Sequence, residues 1–190
     1  MKQNKNIILA SKSPRRRELL GVLGVEYECA SPDVFERGLE QNKGEEVVLY
    51  NALTKARSLK KAGFAVIGAD TAVYLNGKGF GKPKDESEAF QFLSELSGKT
   101  HKVYTGVAVV TDEVEKTAVV STEVTFRELS REEILDYIKS KSPLDKAGAY
   151  GIQDFGSVFV ESIKGDYFNV VGLPVETVYR MLLECKVIEY

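Results

Sequence analysis

This 190-residue chain has little of several residue types on which common enzyme chemistries depend. It has a single histidine, His101, which makes multi-histidine zinc sites and the Ser-His-Asp class of hydrolases poor explanations of its function. Its two cysteines, Cys29 and Cys185, fit neither a metal-binding spacing nor a disulfide framework, so we expect a reduced pair and a cytoplasmic protein. Neither a signal peptide nor an apolar run that could span a membrane is expected.

An excess of positive charge is also missing. Lysine and arginine number 26 against 28 aspartate and glutamate residues, which gives a net charge of −2. The chain therefore has no global attraction to nucleic acid, which argues against it as a partner, and any anion site must be local. The length and the hydrophobic content of 43% are typical of one globular domain, which we assign to residues 1–190.

Strand and helix patterns alternate along the chain, which predicts a mixed α/β fold with a partly antiparallel sheet and helices packed on it. The predicted strands are 7–10, 27–30, 64–69, 102–110 and 116–126, with hairpins about Asn76-Gly77 and, within 157–171, about Lys164-Gly165-Asp166. The predicted helices are 15–23, 45–62, 85–97, 130–139 and 175–185, and residues 31–44 are predicted to form an irregular surface loop.

The segment 7–19 carries the strongest signal for function. An apolar strand runs into a Ser-Lys-Ser turn, and Ser13 and Pro14 then suit the N-cap and first position of a helix. Three arginines follow in the first turn, where the helix dipole disfavours cations. Backbone N–H groups, hydroxyls and guanidinium groups together suit a phosphate. The alternative is a solvated helix surface.

A second signal lies at Asp70 and Thr71, which follow an apolar strand. A carboxylate at the carboxyl end of a strand can hold a metal ion or activate water. Gly68 and Ala69 leave room for a close approach at this point. The alternative is that Asp70 caps a turn.

Weaker signals accompany these two. In 81–83 a stiff Gly-Lys-Pro loop can aim the ammonium group of Lys82. In 145–153 small residues surround Tyr150 and Gln153, which suits an aromatic ring that stacks on a base and an amide that reads its edge, or else a loop packed for shape.

Three further residues are ambiguous from sequence. Glu36, with Asp33, could hold a divalent ion through oxygen atoms or lie in solvent. Lys55 is more typical of a lysine whose stem covers apolar surface. His101 is expected to make a structural hydrogen bond. Taken together, positive donors, carboxylates and a base-reading amide favour hydrolysis of a nucleotide by water and a metal ion.

Several motifs, in this order, resemble those of the Maf family of nucleoside triphosphate pyrophosphatases, and the resemblance runs from about residue 7 to 183. The resemblance implies hydrolysis to the monophosphate and pyrophosphate with Mg²⁺ or Mn²⁺, and commonly a homodimer. It also implies an elongated, twisted mixed sheet flanked by helices, with two lobes and a central cleft, similar to inosine triphosphate pyrophosphatases. The motifs are 8–16 (ILASKSPRR), 67–71 (IGADT), 81–83 (GKP), 96–101 (LSGKTH), 145–153 (DKAGAYGIQ) and 171–174 (VGLP).

The resemblance also assigns roles to residues. Asp70 matches the general base, and Asp70 and Glu36 are the expected metal ligands. Catalytic roles are implied for Asp70, Lys82 and Glu36, and substrate binding for Ser11, Arg15, Arg16, Lys55, Thr71 and Gln153. Phe35 stands where many members carry an acidic residue, which weakens the acidic loop as a source of several metal ligands.

The motifs also bear on the substrate. The pairs Arg15-Arg16 and Asp70-Thr71, with the segment 150–153, resemble the dTTP/UTP subgroup rather than the 7-methyl-GTP subgroup. Modified pyrimidine nucleotides are further candidate substrates. A second function stays open, because the family was once described as inhibitors of septum formation. On that alternative the protein binds nucleotide or nucleic acid as a regulator of cell division, without turnover.

Overall fold

The computed structural model describes residues 1–140 and 142–190 and confirms a mixed α/β fold. In that part of the chain the main sheet has seven strands in the order β3-β2-β4-β6-β7-β8, with β5 paired to β4, and a two-stranded ribbon joins β1 to β9. The strands are β1 (Lys2–Gln3), β2 (Asn6–Ala10), β3 (Tyr27–Ala30), β4 (Phe64–Leu75), β5 (Lys78–Phe80), β6 (Thr100–Val110), β7 (Glu115–Phe126), β8 (Val160–Lys164) and β9 (Ile188–Glu189).

The helices begin where the sequence places capping side chains. Ser13 accepts from the backbone N–H of Arg16, and Ser130 forms a capping box with Glu133. The helices are α1 (Pro14–Gly21), α2 (Gly44–Ser58), α3 (Glu86–Leu96), α4 (Arg131–Lys139), α5 (Tyr167–Val171) and α6 (Val175–Glu184), and short 3-10 turns occupy Ser142–Asp145, Ala147–Ala149 and Phe155–Phe159. None of the helices in the described part of the chain has the length and apolar character that a membrane span needs.

The strand β4 is central to the sheet because its partners change along its length. Its first half pairs in parallel with β2, up to Ala10 opposite Gly68. Its last residues pair with β5, from Val73 opposite Phe80 onward. On its other edge β4 pairs with β6 throughout 66–74. Residues 69–72 therefore lie in a gap between the end of β2 and the start of β5.

Helix α2 lies directly on the sheet because two strand glycines let it approach. A Cβ atom at Gly68 would come within 2.1 Å of the Ala52 carbonyl oxygen, and one at Gly106 within 2.4 Å of the Val48 carbonyl oxygen. The room at Gly68 that the sequence suggested is thus taken by the backbone of α2. This close approach lets side chains from α2 reach the middle of β4.

The opposite face of the sheet carries two hydrophobic clusters. The first joins the start of the sheet to α1 and α6 and includes Leu9 and Ile67. The second joins the far end of the sheet to α3 and α4 and includes Phe80 and Phe126.

The largest differences from the sequence predictions concern α2, β4 and the second hairpin. Helix α2 ends at Ser58 rather than 62, and β4 does not end at 69 but continues to Leu75. The second hairpin is wrong: β8 pairs with β7, while Tyr167–Val171 is helix α5. Asp166 starts that helix by accepting from the N–H of Phe168, which outweighs the strand propensity of its aromatic and β-branched residues.

Candidate active site

A cavity of about 610 Å³ opens at the gap between β2 and β5, beside residues 69–72 of β4. Successive strand residues point to opposite faces, so Asp70 lies on the α2 face and Thr71 on the other, and the cavity reaches both through the gap. The expectation that Asp70 follows the end of a strand is therefore corrected: Asp70 is in mid-strand, beyond the end of the neighbouring β2. The predicted site residues that line this cavity are Arg15, Arg16, Glu36, Lys55, Asp70, Thr71, Lys82 and Gln153.

The carboxylate of Asp70 is held by two residues one turn apart on α2. Lys55 Nζ donates to Asp70 Oδ1 at 2.8 Å, and Asn51 Nδ2 donates to Asp70 Oδ2 at 2.9 Å. Lys55 is only 7% exposed, so the prediction of a lysine that covers apolar surface is wrong. Each oxygen of Asp70 retains a second lone pair for another donor.

Glu36 reaches the same lysine from the irregular loop that precedes α2. Its Oε2 lies 2.9 Å from Lys55 Nζ, so one ammonium group joins the two carboxylates. Glu36 is half-exposed, whereas Asp70 is largely buried. Two oxygen donors beside a cavity fit Mg²⁺ or Mn²⁺, provided that other oxygen atoms complete the coordination. The described residues contain no group of three acidic, histidine or cysteine side chains that could hold an ion unaided.

Arg16 is held against the cavity wall by two hydrogen bonds. Its Nε donates to the Gly172 carbonyl oxygen at 2.9 Å, and its Nη2 donates to Thr71 Oγ1 at 3.0 Å. Burial lowers the pKa of the guanidinium group, an effect that the nearby Asp70 charge partly offsets. Arginine stays protonated in proteins, so this is a positive charge held in place. Ser11 lies behind Arg16, where its hydroxyl accepts from Ser13 N–H at 3.1 Å, and it does not line the cavity.

Arg15 lies at the mouth of the cavity and connects α1 to the 3-10 segment, by which we mean the 3-10 turns Ser142–Asp145 and Ala147–Ala149. Its Nη1 lies 2.9 Å from Asp145 Oδ2, and Lys146 Nζ lies 2.7 Å from Asp145 Oδ1. Partial burial raises the pKa of Asp145, but donation from Lys146 and Arg15 outweighs it, so the pKa lies below its usual range. The mouth thus brings two cations to one carboxylate.

Lys82 and Gln153 are exposed on the cavity wall. Within the described ranges no residue hydrogen-bonds to either side chain, which leaves the ammonium and the amide available to a ligand. Tyr150 differs from its prediction: it is 5% exposed, and its hydroxyl lies 2.8 Å from His101 Nε2. The expected structural hydrogen bond of His101 is confirmed, and burial lowers the pKa of this histidine to about 4.

Asn51 is the main residue that the sequence reasoning missed. The signal was present, because Asn51 and Lys55 are polar residues four apart on the apolar face formed by Val48 and Ala52. Two polar side chains at helical spacing on a buried face must find partners. Here they share Asp70.

The fold agrees with that of solved Ham1 proteins. A HAM1 protein from Coxiella burnetii superposes with a TM-score of 0.55 at 18% identity, over 95% of this chain and 99% of that one. The Ham1 protein of Staphylococcus aureus gives a TM-score of 0.53 at 16% identity, over 96% and 100%. At these identities the likeness concerns the fold alone, and it supports the predicted architecture.

The profile of the Maf-like protein family matches residues 6–185, so the chain belongs to that family. It is 51% identical over 182 residues to the dTTP/UTP pyrophosphatase of Thermotoga maritima, covering 94% of this chain and 88% of that protein. It is 48% identical over 185 residues to the dTTP/UTP pyrophosphatase of Bacillus cereus, covering 96% and 91%. The resemblance read from the motifs is thereby confirmed.

Proposed function

We propose that this protein hydrolyses dTTP and UTP to the monophosphate and pyrophosphate, in keeping with the name of its curated relatives. The observation that carries the proposal is a single cavity in which an oriented carboxylate, Asp70, lies with a fixed arginine, Arg16, and further cations. Catalysis of phosphoryl transfer rests mainly on positioning and charge stabilisation, and such a cavity provides both.

The cations would hold the triphosphate. Arg16 is already fixed by Gly172 and Thr71, so little side-chain entropy is lost when it binds a phosphate oxygen. Arg15 would exchange Asp145 for the ligand, and Lys82, which lines the same cavity, would supply a further positive charge. Thr71 acts through Arg16, which it orients, and Ser11 supports the turn beneath.

Asp70 would act as the general base. Lys55 and Asn51 fix its orientation and leave lone pairs free to accept a hydrogen bond from a water molecule. That water would attack phosphorus, its proton would pass to Asp70, and pyrophosphate would leave with the electron pair of the broken P–O bond. Lys55 Nζ contacts both Asp70 and Glu36 and so keeps the two side chains beside each other.

Asp70 and Glu36 are the residues that would hold a divalent ion, together with phosphate oxygens. Such an ion neutralises charge on the phosphate oxygens when it is bound. Gln153 would pair with the imide edge that thymine and uracil share, because its amide offers one donor and one acceptor to match that edge.

The test is to incubate the purified protein with Mg²⁺ and, separately, with dTTP, UTP, CTP, GTP and 7-methyl-GTP, and to measure pyrophosphate release. We expect fast release from dTTP and UTP, and loss of that release in Asp70→Asn. Tight binding without release from any nucleotide, with Mn²⁺ tried as well, would instead favour the regulator of cell division.

We further propose that the enzyme acts in the cytoplasm, where it would meet the nucleoside triphosphate pool, and that it forms a homodimer. The family resemblance supports the dimer. Light scattering of the purified protein tests it, and a monomer mass at assay concentration would contradict it.

A further inference from the structure

Asn51 makes three hydrogen bonds to two separate parts of the chain. The residue is 3% exposed and lies on α2, one turn before Lys55. Its Nδ2 donates to Asp70 Oδ2 at 2.9 Å and to the Arg37 carbonyl oxygen at 3.0 Å, while its Oδ1 accepts from the Arg37 N–H at 2.7 Å. Both ends of the amide are therefore used, which fixes the side chain in one orientation.

The contact with Asp70 fixes the direction of its carboxylate. Lys55 occupies one oxygen and Asn51 the other, so rotation of the carboxylate would break at least one of these bonds. The helix that carries both donors is in contact with β4 at Gly68, which keeps the donors at a fixed distance from Asp70. Without Asn51, Lys55 alone would hold the carboxylate, and only through Oδ1.

The contacts with Arg37 fix the loop that carries Glu36. Residues 31–40 contain no helix or strand, so the backbone polar groups of this segment depend on side chains or water. Asn51 pairs with both the N–H and the carbonyl of Arg37, and the adjacent Glu36 then meets Lys55 at 2.9 Å. The amide of Asn51 thus fixes the positions of the two carboxylates, Asp70 and Glu36, relative to each other.

We propose that Asn51 is a positioning residue for this reaction, an inference that rests on the proposed function: it orients Asp70 and holds Glu36 beside it. Displacement of a reacting group by about 1 Å costs on the order of 10²-fold in rate. The phosphate-binding side chains Arg15, Arg16 and Lys82 share none of the contacts of Asn51 described above. At saturating Mg²⁺, its loss is therefore expected in kcat and not in KM for the nucleotide.

The first variant is Asn51→Leu, which is similar in size and makes no hydrogen bond. For dTTP with Mg²⁺ we expect kcat to fall on the order of 10²-fold while KM stays within about threefold. A second measurement, hydrogen exchange, uses the protein without metal or nucleotide. Hydrogen exchange at the Arg37 amide should accelerate on the order of tenfold or more, because its acceptor is gone.

The second variant, Asn51→Asp, keeps one of the three hydrogen bonds and removes the other two. It keeps an oxygen that can accept from the Arg37 N–H, but it places a second oxygen where Nδ2 faced Asp70 and the Arg37 carbonyl oxygen. We expect slow exchange at Arg37 to be retained and kcat to fall. If Asn51→Leu does not fold, the kcat of Asn51→Asp still tests whether Asn51 orients Asp70.

Thr111→Val is the matched control. Thr111 is 1% exposed, and its hydroxyl donates to the Val114 carbonyl oxygen in the turn after β6, away from the cavity. This variant should lower stability and leave both kcat and KM unchanged. A fall in kcat with Asn51→Leu but not with Thr111→Val is then a positioning effect and not a consequence of lost stability.

Three results would overturn the inference. One is a wild-type kcat in a folded Asn51→Leu or Asn51→Asp protein. Another is a loss that lies in KM, which would make Asn51 part of the binding surface. The third is wild-type exchange at Arg37 in Asn51→Leu. If the wild-type protein itself releases no pyrophosphate, the proposed function fails first, and this role fails with it.

Discussion

The two sides of the cavity use similar ion pairs in different surroundings. On the α2 side, the Lys55 and Asp70 side chains are 8% and 14% exposed, and both belong to regular elements that contact each other. At the mouth, the Arg15 and Asp145 side chains are 25% and 59% exposed, and Asp145 lies on a short 3-10 turn. The surrounding helix and strand keep the Lys55–Asp70 pair together, whereas the Arg15–Asp145 pair has little surrounding structure to keep it in place.

This difference indicates a division of tasks. A buried pair has a high cost of separation, so it keeps its geometry and suits a group that must be oriented for chemistry. An exposed pair contributes little to stability and can be exchanged for a ligand at small cost. The predictions below test this division, from the largest expected effect to the smallest.

The substitution Asp70→Asn should have the largest effect on rate. It removes the proposed base while it keeps an oxygen for Lys55, so we expect kcat to fall about 10³-fold or more in a folded protein. The measurement is pyrophosphate release from dTTP together with thermal unfolding. The same substitution at the mouth, Asp145→Asn, is the control, and an equal loss of kcat in both variants would contradict the division.

The substitution Lys55→Met should have the largest effect on stability. It leaves the buried Asp70 without its cation, so we expect the free energy of unfolding to fall by about 3 kcal/mol. Denaturant unfolding measures this. Lys78→Met removes an exposed pair with Glu95, whose side chains are 56% and 43% exposed, and should cost less than about 1 kcal/mol. Equal losses would show that burial does not set the strength of these pairs.

Low pH should lower the stability of the fold through His101, whose ring hydrogen-bonds to Tyr150 in the cavity wall. The folded protein protonates His101 only near its lowered pKa of about 4, whereas the unfolded chain does so near the ordinary value of 6.5. The unfolded state therefore binds more protons between these values. The free energy of unfolding should fall by about 3 kcal/mol as pH drops through this window.

The pH dependence of unfolding is best compared with that of His101→Gln. Glutamine does not titrate and can still hydrogen-bond to the Tyr150 hydroxyl. Subtracting the two profiles removes the contribution of the carboxylates. Identical slopes in the two proteins between pH 6.5 and 4 would contradict the assignment of this dependence to His101.

The substitution Gln153→Ala should affect selectivity with little effect on stability, because this side chain is exposed on the cavity wall. Loss of a base-reading amide should reduce the preference for dTTP and UTP over CTP by about tenfold in kcat/KM. The measurement is kcat/KM for each nucleotide. Equal losses for all nucleotides would remove the base-reading role.

The smallest effect is expected from Asp145→Asn itself. Because Arg15 no longer has to leave a carboxylate, we expect KM for dTTP to fall by about threefold, with stability within about 1 kcal/mol of the wild type. The measurement is a KM titration with unfolding as the control. An increase in KM would mean that Asp145 helps binding and does not compete for Arg15.

Much of the fold could be predicted from the sequence because its signals are local. Caps such as Ser13 and Ser130 fix where helices begin, and the turn at Asn76-Gly77 fixes a hairpin. The helix α5 was missed because its start depends on the Asp166 side chain and on burial of Asn169, whereas its residues favour a strand. Burial of this kind depends on tertiary contacts that periodicity does not reveal.

The site was predictable in part for a similar reason. Motif resemblance selected the cavity residues around Asp70, but it gave neither their partners nor their exposure. Whether Lys55 is a surface stem or a buried ion depends on how close α2 comes to the sheet, which Gly68 and Gly106 decide from other parts of the chain. The role of Asn51 follows from the same approach.

The gap between β2 and β5 leaves β4 itself unbroken. Asp70 and Thr71 lie on a strand whose other edge is paired with β6 along its whole central part, opposite Gly106 and Thr105. Opening at either side of the cavity can therefore occur without separating the strand that carries the reactive carboxylate. The position of the carboxylate is thus set by the β4–β6 pairing and does not depend on the loop 31–40 or on the 3-10 turns that line the cavity.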